Sequence, residues 1–113
     1  MNIQIFGKSK CFDTKKAERY FKERRVKYQY IDLAKYGMSK GEFHSVKASV
    51  GGLEPLIDKT SNDYERLKMG NISSAQIKEE ILLEHQGMLV TPIVRNGKLA
   101  SVGYQPDVWK SWD

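Results

Sequence analysis

The feature that most limits what this chain can become is its opening pair of alternating segments with one helix-patterned stretch between them. In NIQIF, Ile3 and Ile5 share a face with a period of two, which is the mark of a strand, and Gly7 ends it. From Phe12 the period changes. Thr14, Ala17 and Phe21 recur at helical spacing, with Tyr20 and Arg24 alongside, and predict a helix over 12–24. KYQYIDL, residues 27–33, alternates again and predicts a second strand. A single intervening helix is the crossover that sets two strands parallel.

The last third carries the other strong local signal. TPIVRNGKLASV holds two β-prone runs around Asn96-Gly97, a pair suited to a type I′ turn, so 93–95 and 98–102 are expected to form an antiparallel hairpin. In GYQPDVWKSW, Pro106 opens a short terminal helix that packs Trp109 and Trp112 downward. Between the two halves, three capping pairs predict helices near 40–50, 63–69 and 74–86: Ser39 with Glu42, Asn62 with Glu65, and Ser73 with Gln76. Gly51-Gly52, Gly70 and Gly87 stand where helix stops belong, and GGLEPLIDKT is expected to be a loop. Tyr20, Phe21, Ile77 and Ile81 join the tryptophans as expected core residues. The order β-α-β, helices, β-β-α predicts an α/β domain over 1–113. Its fold is thioredoxin-like, a four-stranded mixed sheet flanked by helices, with a helical insertion at about 38–88.

Composition narrows the chemistry. With 113 residues, 40% hydrophobic and 29% charged, the chain suits one soluble domain. No apolar run approaches a membrane span, and Ile3 to Phe6 is too short for a signal region, so a cytoplasmic monomer is expected. The net charge of +5 comes from lysines scattered among glutamates on predicted helices, which reads as solvated helix faces rather than a nucleic-acid platform. A single cysteine excludes an internal disulfide and any cysteine-rich metal site. His44 and His85 are far apart, so neither a metal nor a bound cofactor is expected.

That cysteine, Cys11, falls in GKSKCFDTKKA, between the first strand and the first helix. The reactive form of cysteine is the thiolate. A helix N-terminus offers free N–H groups and partial positive charge, and Lys8, Lys10, Lys15 and Lys16 add charge of the same sign, so a lowered thiol pKa is expected. Thr14 stands where a C-x-x-C motif would have its second cysteine. Its hydroxyl cannot close a disulfide, but it can hydrogen-bond the thiolate. The residues alone leave the isomer of Thr91-Pro92 open.

Taken in order, NIQIFGKSKC, DTKKA, YQYIDL, GGLEPLIDKTSNDYERL and MLVTPIVRNGKLASVGYQPDVW resemble the arsenate-reductase-like (ArsC) family of the thioredoxin superfamily, to which the Spx transcriptional regulators also belong. The resemblance covers nearly the whole chain. It implies a thiol-dependent oxidoreductase with Cys11 as nucleophile and Pro92 cis beside it. The implied substrate is a small thiol or oxyanion, and glutathione or glutaredoxin supplies the resolving thiol. Where the family's reductases place three arginines, this chain carries Lys59, Thr91 and Gln105. These, with Lys8 and Pro92, are the implied substrate-binding positions, and Lys10 and Thr14 support the thiolate. The alternatives are an Spx-like regulator acting on RNA polymerase, for which VGY after the hairpin is the matching piece, and a non-catalytic protein-binding module.

Overall fold

Alternation and the crossover helix together decide the centre of the molecule. The computed structural model describes residues 1–112; Asp113, the expected end of the domain, lies outside them. The strands are β1 (Ile3–Gly7), β2 (Tyr28–Asp32), β3 (Ile93–Asn96) and β4 (Leu99–Val102), in the sheet order β2-β1-β3-β4. β1 runs parallel to β2, with Ile5 opposite Tyr30 and Gly7 opposite Asp32. It runs antiparallel to β3, with Phe6 opposite Ile93, and β3 runs antiparallel to β4. This is the mixed thioredoxin-like sheet the element order predicts.

Because neighbouring side chains in a strand point to opposite faces, the sheet divides two cores. On one face Ile3, Ile5 and Val94 pack against Ala17 and Phe21 of helix α1 (Phe12–Glu23) and Trp109 of helix α5 (Pro106–Lys110). On the other, Phe6 and Ile93 meet Phe43 and Val46 of α2 (Lys40–Val50) and Leu82 of α4 (Ala75–Glu84). The short α3 (Asn62–Arg66) adds Tyr64 to the edge of this second core. Each fully buried side chain of this size contributes about 1.5–3 kcal/mol by leaving water, so the two cores hold α1 and β3 firmly in place.

Local signals hold at some positions and shift at others. Ser39 forms the expected capping box with Glu42, and Gly51 closes α2 with φ of 87°. The other two caps fall one residue away from expectation. Ser61, not Asn62, accepts from the Tyr64 N–H, and Ser74, not Ser73, accepts from the Ile77 N–H. In both cases adjacent polar residues compete for the cap, and tertiary packing selects the winner. Gly70 is no helix stop: α3 ends at Arg66, and Gly70 lies in a 3-10 turn, Met69–Asn71. The GGLEPLIDKT stretch contains a 3-10 turn, Glu54–Leu56, and delivers Leu56 and Ile57 to the core, where Ile57 bridges Leu89. The hairpin turn is not type I′. Asn96 pairs with Leu99 and positive φ is confined to Gly97, so the loop is Gly97-Lys98 with glycine first. Ile77 is 49% exposed rather than core, since α4 turns that edge to solvent. No helix among the described residues is long and apolar enough to cross a membrane.

Candidate active site

Two chain segments from opposite ends of the sequence meet just beyond the β1–β3 ladder. One is the turn from β1 into α1; the other is the entry to β3. Cys11 is the N-cap of α1, with extended backbone, and its N–H donates to the Lys8 carbonyl at 3.1 Å. Its sulfur is half-buried and lies 3.6 Å from the Thr91 carbonyl oxygen, to which the thiol donates. The Thr91–Pro92 peptide bond is cis, and both residues are buried.

Thr14 sits one turn into α1, only 2% exposed, and its hydroxyl has no hydrogen-bond partner. Packing explains its burial. The side chain lies over Gly7, where an added Cβ would overlap the Thr14 methyl and approach its hydroxyl oxygen and the Tyr30 ring at 3.0 Å. Gly7 is therefore required by close approach. Burial works against ionising Cys11, but the hydroxyls of Thr14 and Thr91 and the N–H groups of Thr14 and Asp13 outweigh it and hold the thiol below its ordinary value of 9.0. A sulfur that ionises more readily than an ordinary cysteine, half-open to solvent and adjoined by hydroxyl donors, can attack an electrophilic sulfur or oxyanion.

The expected lysine field is not what lowers this pKa; the favourable contributions are hydroxyl and amide donors. The lysines have other partners. Lys8 donates to the carbonyls of Gly87 at 2.7 Å and Leu89 at 2.8 Å, so it is not turned to an incoming anion. Lys15 lies over the Phe12 ring, Lys16 over Tyr104, and Lys10 is exposed. Lys59 pairs with Glu54 at 3.5 Å and lines a cleft with Tyr64 and Lys68. Gln105 is the N-cap residue of α5, and its amide donates to the Val102 carbonyl at 3.1 Å. Cys11, Thr14 and Thr91 thus come together, whereas Lys59 and Gln105 are committed to local contacts.

Tyr30 is the residue that sequence reasoning missed. It packs by Gly7 and Thr14, and its phenol is held above its ordinary range by burial and by the charges of Asp32, Glu18 and ionised Cys11. The parallel register that sets Tyr30 beside Ile5 is the signal that places it near the start of α1. No group of three or more His, Cys, Asp or Glu side chains among the described residues is arranged to hold a metal ion.

The family model described as the ArsC family matches residues 6–112. The chain belongs to the ArsC family. Among curated proteins, global transcriptional regulator Spx 2 of Oceanobacillus iheyensis is 26% identical over 110 residues, covering 95% of this chain and 80% of that protein. Spx of Staphylococcus aureus is 23% identical over 108 residues, covering 93% and 82%. Among solved structures, arsenate reductase from Vibrio cholerae superposes with a TM-score of 0.87 at 18% identity, over 98% of this chain and 97% of that one. ArsC membership accounts for the fold.

Proposed function

We propose that this ArsC-family chain is a cytoplasmic thiol-dependent oxidoreductase with Cys11 as its single nucleophile, and that its substrate is a disulfide or mixed disulfide. The observation that carries this reading is the convergence of Thr14, Thr91 and the α1 N-terminus on a half-open sulfur. The thiolate attacks a substrate disulfide, forms a mixed disulfide with Cys11 and expels the other sulfur as a thiolate. An external thiol, glutathione or a glutaredoxin, then attacks the substrate-side sulfur. That step frees Cys11 as thiolate and leaves the substrate moiety joined to the external thiol. With one cysteine the resolving sulfur must come from outside. Arsenate fits less well, because the two side chains expected to gather its charge, Lys59 and Gln105, are engaged elsewhere.

The test is an NADPH-coupled glutaredoxin assay with a glutathione mixed disulfide and, separately, with arsenate, comparing wild type with Cys11→Ser. Turnover of the mixed disulfide, abolished by the substitution, is expected. Turnover of arsenate alone would reverse the substrate assignment. Oxidation with diamide and glutathione should give a single glutathione adduct on Cys11 by mass spectrometry.

A second reading has its own support, in the similarity to Spx regulators across most of the chain. As a regulator of that kind the protein would co-purify with RNA polymerase, and Cys11→Ser would leave that binding intact. Thr14 in the place of a second cysteine removes the intramolecular disulfide switch.

A further inference from the structure

The hydrogen-bonded ladder between β1 and β3 stops at Phe6 and Ile93. The site is built past that end, from the turn that carries Cys11 and the segment that carries Thr91. Among the described residues, the hydrogen bonds joining those two segments come from two side chains. One is the Cys11 sulfur itself, 3.6 Å from the Thr91 carbonyl. The other is Lys8, whose ammonium reaches the carbonyls of Gly87 and Leu89 at 2.7 and 2.8 Å. Lys8 also holds the Cys11 turn directly, because its own carbonyl accepts from the Cys11 N–H.

We propose that Lys8 is a positioning residue for Cys11: its ammonium straps the nucleophile's turn to the segment before Thr91 and so keeps the Thr91 hydroxyl and carbonyl at the sulfur. The inference rests on the reading of Cys11 as nucleophile. The chemistry suits a strap. An ammonium has three donors, and here two meet carbonyl oxygens through charge-assisted hydrogen bonds. The Asp58 backbone N–H donates to the Met88 carbonyl at 2.8 Å, between the two strapped carbonyls, and its carboxylate, held chiefly by the Thr60 hydroxyl, also feels the Lys8 charge. Lysine, turn and β3 entry therefore form one polar seam. The groups facing the sulfur from the surrounding elements are Thr14 and the Asp13 N–H on α1, Thr91 before β3 and Tyr30 on β2. Lys8 is not among them, so its effect must travel through position.

The test compares wild type, Lys8→Met and Lys8→Arg by iodoacetamide alkylation of Cys11 across pH. Lys8→Met keeps the aliphatic stem and removes the donors; Lys8→Arg keeps donors. The expected result is that Lys8→Met alkylates roughly three- to tenfold more slowly near neutral pH, the size of one ordinary hydrogen bond loosened at the sulfur. Its rate should merge with wild type at high pH, and Lys8→Arg should restore most of the loss. The Val90 amide, bonded to the Leu56 carbonyl inside the strapped segment, should exchange its hydrogen faster in Lys8→Met. If the charge acted on the sulfur through space, the deficit would shrink as salt is raised to roughly 0.5 M and Val90 exchange would not change; that pair of results would overturn the proposal. So would a Lys8→Met profile matching wild type. Should Lys8→Met fail to fold, Lys8→Gln is subject to the same comparison. A wild-type Cys11 with ordinary thiol reactivity would instead remove the nucleophile reading, so the two failures are distinguishable.

Discussion

The Cys11 sulfur stands 3.6 Å from the carbonyl oxygen of Thr91, a residue 80 positions further along the chain. As a thiol, Cys11 donates to that oxygen. Once ionised it has no proton to give, and the hydroxyls of Thr14 and Thr91 and two helix N–H groups become its partners. The same pocket thus serves both protonation states with different donors and acceptors.

The Thr14 hydroxyl should matter to reactivity and hardly to stability. Thr14→Val keeps the shape and removes the donor, so alkylation of Cys11 near neutral pH should slow roughly three- to tenfold and converge with wild type at high pH. The sign for stability follows from the lowered thiol pKa: ionisation stabilises the fold above the unfolded value and contributes nothing once pH falls below the folded one. In mildly acid solution only the cost of burying an unpaired hydroxyl remains, about 1–3 kcal/mol. Urea unfolding of Thr14→Val there should show unchanged or higher stability; a clear loss would mean that the hydroxyl is bonded in the resting protein.

Gly7 is a steric requirement of the site. In Gly7→Ala the new Cβ overlaps the Thr14 methyl, at the buried end of β1. Thr14 must move, and overpacking of this kind costs about 1–3 kcal/mol. Both denaturant midpoint and Cys11 alkylation rate should fall, whereas Gly97→Ala, whose Cβ meets nothing, should leave alkylation untouched and cost only turn strain.

Glu79 ties α4 to α2, accepting from Lys47 and facing His44 at 3.2 Å. The Lys47 hydrogen bond, against the opposing effect of burial and with help from His44, holds its carboxyl below the ordinary value of 4.5. A depressed carboxylate pKa stabilises the fold above the unfolded value and ceases to do so as pH falls through the folded one. Glu79→Gln should therefore cost about 0.5–1 kcal/mol at neutral pH, and the difference should begin to shrink near the ordinary carboxylate value and vanish only once pH has fallen through the lowered value of the folded protein. Thermal unfolding of both proteins across that range checks it.

Trp109 is 1% exposed, and its indole N–H donates to the Ser101 hydroxyl at 2.8 Å. Ser101→Ala strands that donor in the core and should cost about 1–3 kcal/mol. Tryptophan fluorescence during urea unfolding reads the loss directly, and the Cys11 alkylation rate should stay as in wild type.

The alternation of Ile3 and Ile5, the helical spacing of Thr14, Ala17 and Phe21, the Ser39 capping box and the β-rich runs of 93–102 are local patterns, and the chain alone determined from them the strand and helix order and Cys11 at a helix start. Where neighbouring residues offered equal local choices, as at Ser61-Asn62 and Ser73-Ser74, only packing decided. The same holds for the site. Charge counted along the sequence put lysines around Cys11, but a lysine side chain is long and goes where acceptors are. Lys8 found the carbonyls of Gly87 and Leu89, and Lys59 found Glu54. Which groups face the sulfur depends on strand register and on the close approach at Gly7, which bring Thr91 and Tyr30 to Cys11. Contacts between residues so distant in sequence exist only once the sheet has formed.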